Sequence, residues 1–284
     1  MAKAVAYGKR VKVYPLAEAA NPPVTVFVDA IDVIYDSTIP YDLRFFQSLD
    51  RFLQYEPWLE RDMAMIDILK SIGIEKGKPF NPDAQMREAL RVAAVEARDW
   101  LEARYQIGFP PYYQGQQWAV PALPDLVEYW QKATGYPVDA RGLLYSYGYA
   151  SIKHSGTGQF YLITIRDKQG QFLNGDSTYR LNVPANAPVR LYWSATVYDR
   201  ATHALIRDQR TVSRSSLSPG LQKNADGSAD VYFGPKAPAA AKESNWVPTS
   251  ATGQFEVLFR FYGPEKPLFD KTWVLPDIER IAAK

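Results

Sequence analysis

Apolar residues recur along this chain with two different periods, and the change falls near residue 140. Between 42 and 105 the period is close to 3.6, which places apolar side chains on one face of each helix. Phe45, Phe46, Leu49, Phe52 and Leu53 form such a stripe behind Asp42, a suitable N-cap, and Pro57 ends it. Met65, Ile66, Leu69 and Ile72 form a second stripe, with Gly73 placed to stop it. Asp83 can cap a third helix over 84–105, carrying Leu90, Ala94, Ala97 and Leu101. A wrapping connection with a short helix around 123–133 is expected next. From 143 onward the period is two. Strands are expected at 143–150, 159–166, 178–183, 189–198, 204–207, 211–214, 229–233 and 254–262. Ahead of all this, residues 1–40 read as extended, on the valines of "VTVFVDAIDVIY" and a shorter "VKVYP".

The predicted fold is therefore α+β: a short extended segment (1–40), a helical segment (41–135) and an antiparallel β-sandwich (136–284). Two strands carry most of the information. In "VRLYWSATVY", Val189, Leu191, Trp193, Ala195 and Val197 point one way, and Arg190, Tyr192, Ser194, Thr196 and Tyr198 the other. In "FEVLFRFY", Phe255, Val257, Phe259 and Phe261 oppose Glu256, Leu258, Arg260 and Tyr262. The first set of each pair is core. The second sets mix arginine, tyrosine and hydroxyls, so that face either binds a sugar or planar organic molecule, through Arg190, Tyr192, Tyr198, Arg260 and Tyr262, or lies beneath helices or another domain.

Composition narrows the chemistry. The 284 residues are 46% hydrophobic, so a sizeable core can form, and 33 basic side chains against 31 acidic ones give no charge excess for nucleic acid or an anionic membrane. No apolar run reaches the roughly 18 residues of a membrane-spanning helix, and "MAKAVAYGKR" lacks the apolar stretch of a signal peptide. Without cysteine there is no disulfide or thiolate chemistry, and two histidines, His154 and His203, rule out a three-histidine metal site. No cofactor is expected. His203 follows "YDRAT" and reads as a turn or hydrogen-bonding histidine.

Several phrases, "EPWLERDMAMIDILKSIGIEKGKPFNPD", "YPVDARGLLYS", "LYWSATVYDRATHALI", "KNADGSADVYFGPKAP", "NWVP" and "FRFYGPEKPLFDKTW", together resemble the bacterial family called domain of unknown function 1254, with its C-terminal companion, domain of unknown function 1214. The resemblance runs from about residue 5 to 279. It implies a jelly-roll-like C-terminal domain behind a helical segment, a further N-terminal β-rich domain of which only the end is present here, and a place in the bacterial periplasm or envelope. It implies no established reaction and transfers no catalytic residue.

Two function classes follow. One is a non-catalytic binding or structural module of the cell envelope, taking a small molecule or carbohydrate on the tyrosine and arginine face, with a homo-oligomer or the absent domain as its protein partner. The other is a hydrolase of a sugar or ester, with Asp139, His154 or Asp226 as acid or base and Arg190 or Arg260 as an electrostatic clamp. Arg141 beside Asp139 also reads as half of a structural salt bridge. "RDQRTVSRSS" (207–216) reads as a solvated edge strand, and no phosphate loop or nucleophile elbow occurs. The spacing of Asn224, Asp226, Ser228 and Asp230 suggests a calcium loop. Counted from Asn224, however, Ala229 and Pro235 stand where an EF-hand needs glycine and glutamate, so a tight turn at Asp226–Gly227 is the expectation and no metal is assigned.

Overall fold

A computed structural model describes residues 2–30, 32–33, 36, 38–107, 109–121, 138–147, 158–206, 209–238 and 243–281. They divide into two units, Met1–Ser37 and Thr38–Lys284. In the first, Ala2–Gly8 is helix α1. The expected extension of 24–30 joins no ladder among the described residues, and Val24, Val26 and Val28 are exposed. Its main tie is Thr25, whose Oγ1 accepts from the Val13 amide at 2.9 Å.

In the second unit the helical periodicity is realised. Helix α2 (Leu43–Tyr55) begins where the Asp42 carboxylate accepts from the Arg44 amide at 2.8 Å. Helix α3 (Met63–Ile68) runs into a 3₁₀ turn that ends at Gly73, with φ of 83°. Helix α4 (Ala84–Ile107) is capped by Asp83 through the Met86 amide at 2.8 Å. One expectation fails. The segment read as a strand from 143 is helical: α5 spans Val138–Tyr147. Burial here follows the helix rather than alternation: Leu143 and Ser146, three apart, are buried while Tyr145 is exposed, and Ser146 Oγ donates to the Leu143 carbonyl at 2.6 Å. Residues 148–150, like 122–137 with the helix expected there, lie outside the described residues.

Eight strands follow among the described residues: β1 (Gln159–Thr164), β2 (Thr178–Val183), β3 (Val189–Asp199), β4 (Ser213–Ser215), β5 (Ala229–Gly234), β6 (Trp246–Pro248), β7 (Phe255–Pro264) and β8 (Glu279–Ile281). Of the strand expected at 204–207, residues 204–206 make only an isolated bridge, Leu205 to Tyr198, and 207 lies outside the described residues. The first sheet has the order β1-β7-β3-β4 and the second β6-β5-β2-β8, antiparallel except for β5 with β6. Their inner faces meet in one core of Phe160, Leu162, Trp193, Val197, Phe255, Val257, Phe259 and Phe261 against Tyr179, Leu181, Val183, Val231 and Phe233. This is the two-layer packing that alternation along each strand requires. A bulge between Val189 and Tyr192 interrupts it once. The extra residue shifts the phase, so Leu191, expected in the core, is 57% exposed.

The hairpin before β5 is the tight turn expected of it. Gly227 holds φ of 84°, and Asp226 Oδ1 accepts from the Ser228 amide and hydroxyl at 2.9 and 2.7 Å. Asn224 and Asn182 hold Asp230 by amide bonds of 3.3 and 2.8 Å. The alternating oxygens close the turn on itself, and no group of three or more metal-ligating side chains occurs among the described residues.

Helices α4 and α5 lie on the outer face of the first sheet, where Tyr105 and Leu143 form a second core with Ile163, Tyr198 and Leu258. This places Glu256 beneath α4 with 0% exposure. A buried carboxylate needs partners. Tyr105 Oη donates to Glu256 Oε2 at 2.6 Å, and His203 Nδ1 lies 3.2 Å from both carboxylate oxygens. His203 reaches inward from a left-handed backbone, φ 53°, that its turn imposes. Arg200 grips Glu102 of α4 with two bonds of 2.8 and 2.6 Å and stacks 4.2 Å above the Tyr105 ring. Helix α4 is thus held by polar contacts to the same strand whose other face fills the sandwich.

Two predictions follow from this packing. A Cβ on Gly175 would collide with the Ser250 carbonyl oxygen, so Gly175→Ala should cost about 1–3 kcal/mol, read as a lower urea midpoint. Tyr105→Phe removes the donor to a buried carboxylate and should cost about 1–3 kcal/mol; an unchanged midpoint would show that Glu256 does not depend on it.

Candidate functional site

Strand register decides which outer-face side chains meet. Arg260 on β7 stands opposite Tyr161 of β1 and Ser194 of β3. One step along the same face, Tyr262 stands opposite Gln159 and Tyr192. Two steps the other way, Tyr198 stands opposite Glu256. Aromatic side chains directly opposed or diagonal on one face are within reach of one another. The result is a cage. Tyr192 and Tyr262 stack with ring centres 4.2 Å apart and planes 18° from parallel. Arg260 donates from Nη2 to the Tyr198 hydroxyl. Its guanidinium carbon lies 5.6 Å from the Tyr161 ring centre and 5.8 Å from that of Tyr198, within cation–π range.

The face is covered unevenly. Under the helices, Glu256 and Leu258 have no exposure and Tyr198 keeps 8%. Beyond the helices, Tyr161, Tyr192, Arg260 and Tyr262 are partly exposed. One end of the face is therefore helix-covered core, and the other is partly exposed among the described residues.

Electrostatics at the open end follow from partial burial. Burial pushes the Tyr161, Tyr192 and Tyr198 phenols above their ordinary 10, so they remain neutral at ordinary pH. Burial also opposes the Arg260 charge, but Tyr198 first, then Tyr262 and Tyr161, outweigh it and leave the guanidinium more basic than usual. A charged planar donor among phenol hydroxyls and ring faces can hold a flat polar molecule by stacking and forked hydrogen bonds.

Of the residues singled out in sequence, Tyr192, Tyr198, Arg260 and Tyr262 converge here. Arg190 does not join them: it is exposed before the β3 bulge, beside Gly263, and no interaction among the described residues links it to the cage. Asp226 belongs to a hairpin of the second sheet, with its carboxylate on Ser228. Asp139 is exposed in the first turn of α5. His154 lies outside the described residues. Sequence reasoning missed Tyr161, which alternation alone could have placed on the same face, and also the Tyr105–Glu256 contact, for which no local signal exists.

No helix among the described residues is long and apolar enough to cross a membrane. Comparison with curated proteins gives no match. Two crystal structures are similar over much of the chain. The VPA0106 protein of Vibrio parahaemolyticus is 17% identical with a TM-score of 0.47, covering 99% of this chain and 65% of that one. An uncharacterised protein from Burkholderia cenocepacia is 17% identical with a TM-score of 0.34, covering 78% of this chain and 50% of that one. This chain thus spans less than two thirds of either. Residues 158–266, which hold Arg260 and all four tyrosines of the cage, match the family described as "Protein of unknown function (DUF1214)".

Proposed function

We propose that this protein is a non-catalytic binding module whose ligand, a small sugar or planar organic molecule, rests on the open end of the first sheet. One observation carries the reading: Tyr161, Tyr192 and Tyr262 lie partly exposed around a single guanidinium, that of Arg260, which also donates to the buried Tyr198 hydroxyl. Phenol rings offer apolar area with little conformational freedom to lose, and their hydroxyls give direction to a polar ligand. The resemblance to domain of unknown function 1254 supports placing the module in the bacterial envelope, within a longer protein that has a jelly-roll-like domain at its C-terminal end. The hydrolase reading has less support, since Asp226 is committed to its turn on the other sheet.

A thermal-shift panel of neutral sugars and planar organic molecules tests the binding. A ligand at 100 times its Kd adds about 2.7 kcal/mol, which raises the Tm of a domain this size by roughly 5–10 °C. That rise should vanish in the Tyr192→Ala/Tyr262→Ala double variant. A folded protein that shifts with no member of the panel overturns the reading.

A pH prediction follows from the same phenols. Their folded pKa values lie above the unfolded one, so their contribution is complete below about pH 10 and is lost as pH rises through the folded values. Phenolate absorbance should therefore appear at higher pH in native than in urea-unfolded protein, and stability should fall above pH 10. Coincident titration curves would contradict the burial of the cage.

A further inference from the structure

Arg260 and Arg200 are both removed from water on the same sheet face, yet their charges are met differently. Arg200 has a carboxylate, Glu102, on two bonds of 2.8 and 2.6 Å. Arg260 has none within ion-pair distance among the described residues. It donates to the Tyr198 phenol, Tyr262 adds a second side-chain hydrogen bond, and the faces of Tyr161 and Tyr198 supply only partial negative charge. Its Nε is buried without a hydrogen-bond partner, while the side chain as a whole is partly exposed. A guanidinium does not lose its proton, and a partly desolvated charge that meets only dipoles leaves a net positive site.

From this we infer that the cage is an anion site, and that its ligand is a planar aromatic monocarboxylate whose carboxylate docks on Arg260 while its ring packs on the Tyr192–Tyr262 pair. The inference rests on the binding reading above and narrows it. A carboxylate matches the planar guanidinium, and one cation suits one negative charge. A phosphate dianion would call for a second cation, and Arg190, the nearest in sequence on β3, is exposed and does not join Arg260. The two stacked rings, 4.2 Å apart, offer a flat apolar surface that a rigid aromatic body covers at small entropic cost.

The test compares benzoate with benzamide, which has nearly the same shape without the charge, by calorimetric titration and thermal shift on the full chain. Charge-assisted hydrogen bonding should make benzoate bind about tenfold or more tightly. Arg260→Gln should erase that preference, and rising salt should weaken benzoate alone. If benzoate and benzamide bind wild-type protein equally, the anion site is wrong and the binding face stands. If neutral planar molecules and sugars bind but benzoate does not, the same conclusion holds. If nothing in the panel binds, the face itself is not a ligand site. The wild-type comparison decides the matter even if Arg260→Gln fails to fold.

Discussion

Strand β7 is buried along its whole inner face and at the Glu256 end of its outer face, and most of the structure answers that one constraint. Its inward side chains, Phe255, Val257, Phe259 and Phe261, have at most 1% exposure in the sandwich core. Its outward side chains, Glu256, Leu258, Arg260 and Tyr262, must then be either covered with partners or left partly in water. A carboxylate and a guanidinium on one strand cannot both be treated as surface when helices lie on that surface.

The strand solves the problem differently at its two ends. At Glu256 the helices close over the sheet, and Tyr105 and His203 meet the carboxylate. The same contacts, with Arg200 on Glu102, fix α4 to the sheet and so decide how much of the face stays open. At Arg260 the cover stops, and tyrosines from β1, β3 and β7 surround the charge without cancelling it. Helix α4 is tied through Tyr105 to Glu256 of the same strand that carries Arg260.

Several parts of this were legible in the chain. Asp42, Gly73 and Asp83 marked helix ends because caps and left-handed stops act through the nearest few residues. The two faces of β7 were legible because alternation is a property of one strand. Where readings failed, a non-local contact had intervened. Leu191 left the core because a bulge, defined only by the pairing of β3 with β7, shifted the phase. Val138–Tyr147 became a helix because Leu143 had Leu258 and Tyr198 to pack against. His203, which read as a turn residue, does sit in a turn, but that turn aims it at a carboxylate 53 positions away.

The sequence by itself determined the helices with their caps, the two-faced strands, the Asp226–Gly227 turn and the chemistry of the candidate face. Each depends on φ/ψ preferences and periodicity within a few residues. Tertiary structure alone decided that Arg260 would lie among Tyr161, Tyr192, Tyr198 and Tyr262 rather than beside Arg190, and that Glu256 would find Tyr105 151 positions away. Register and helix placement are set by summed burial over the whole core, and no short stretch of chain encodes that sum.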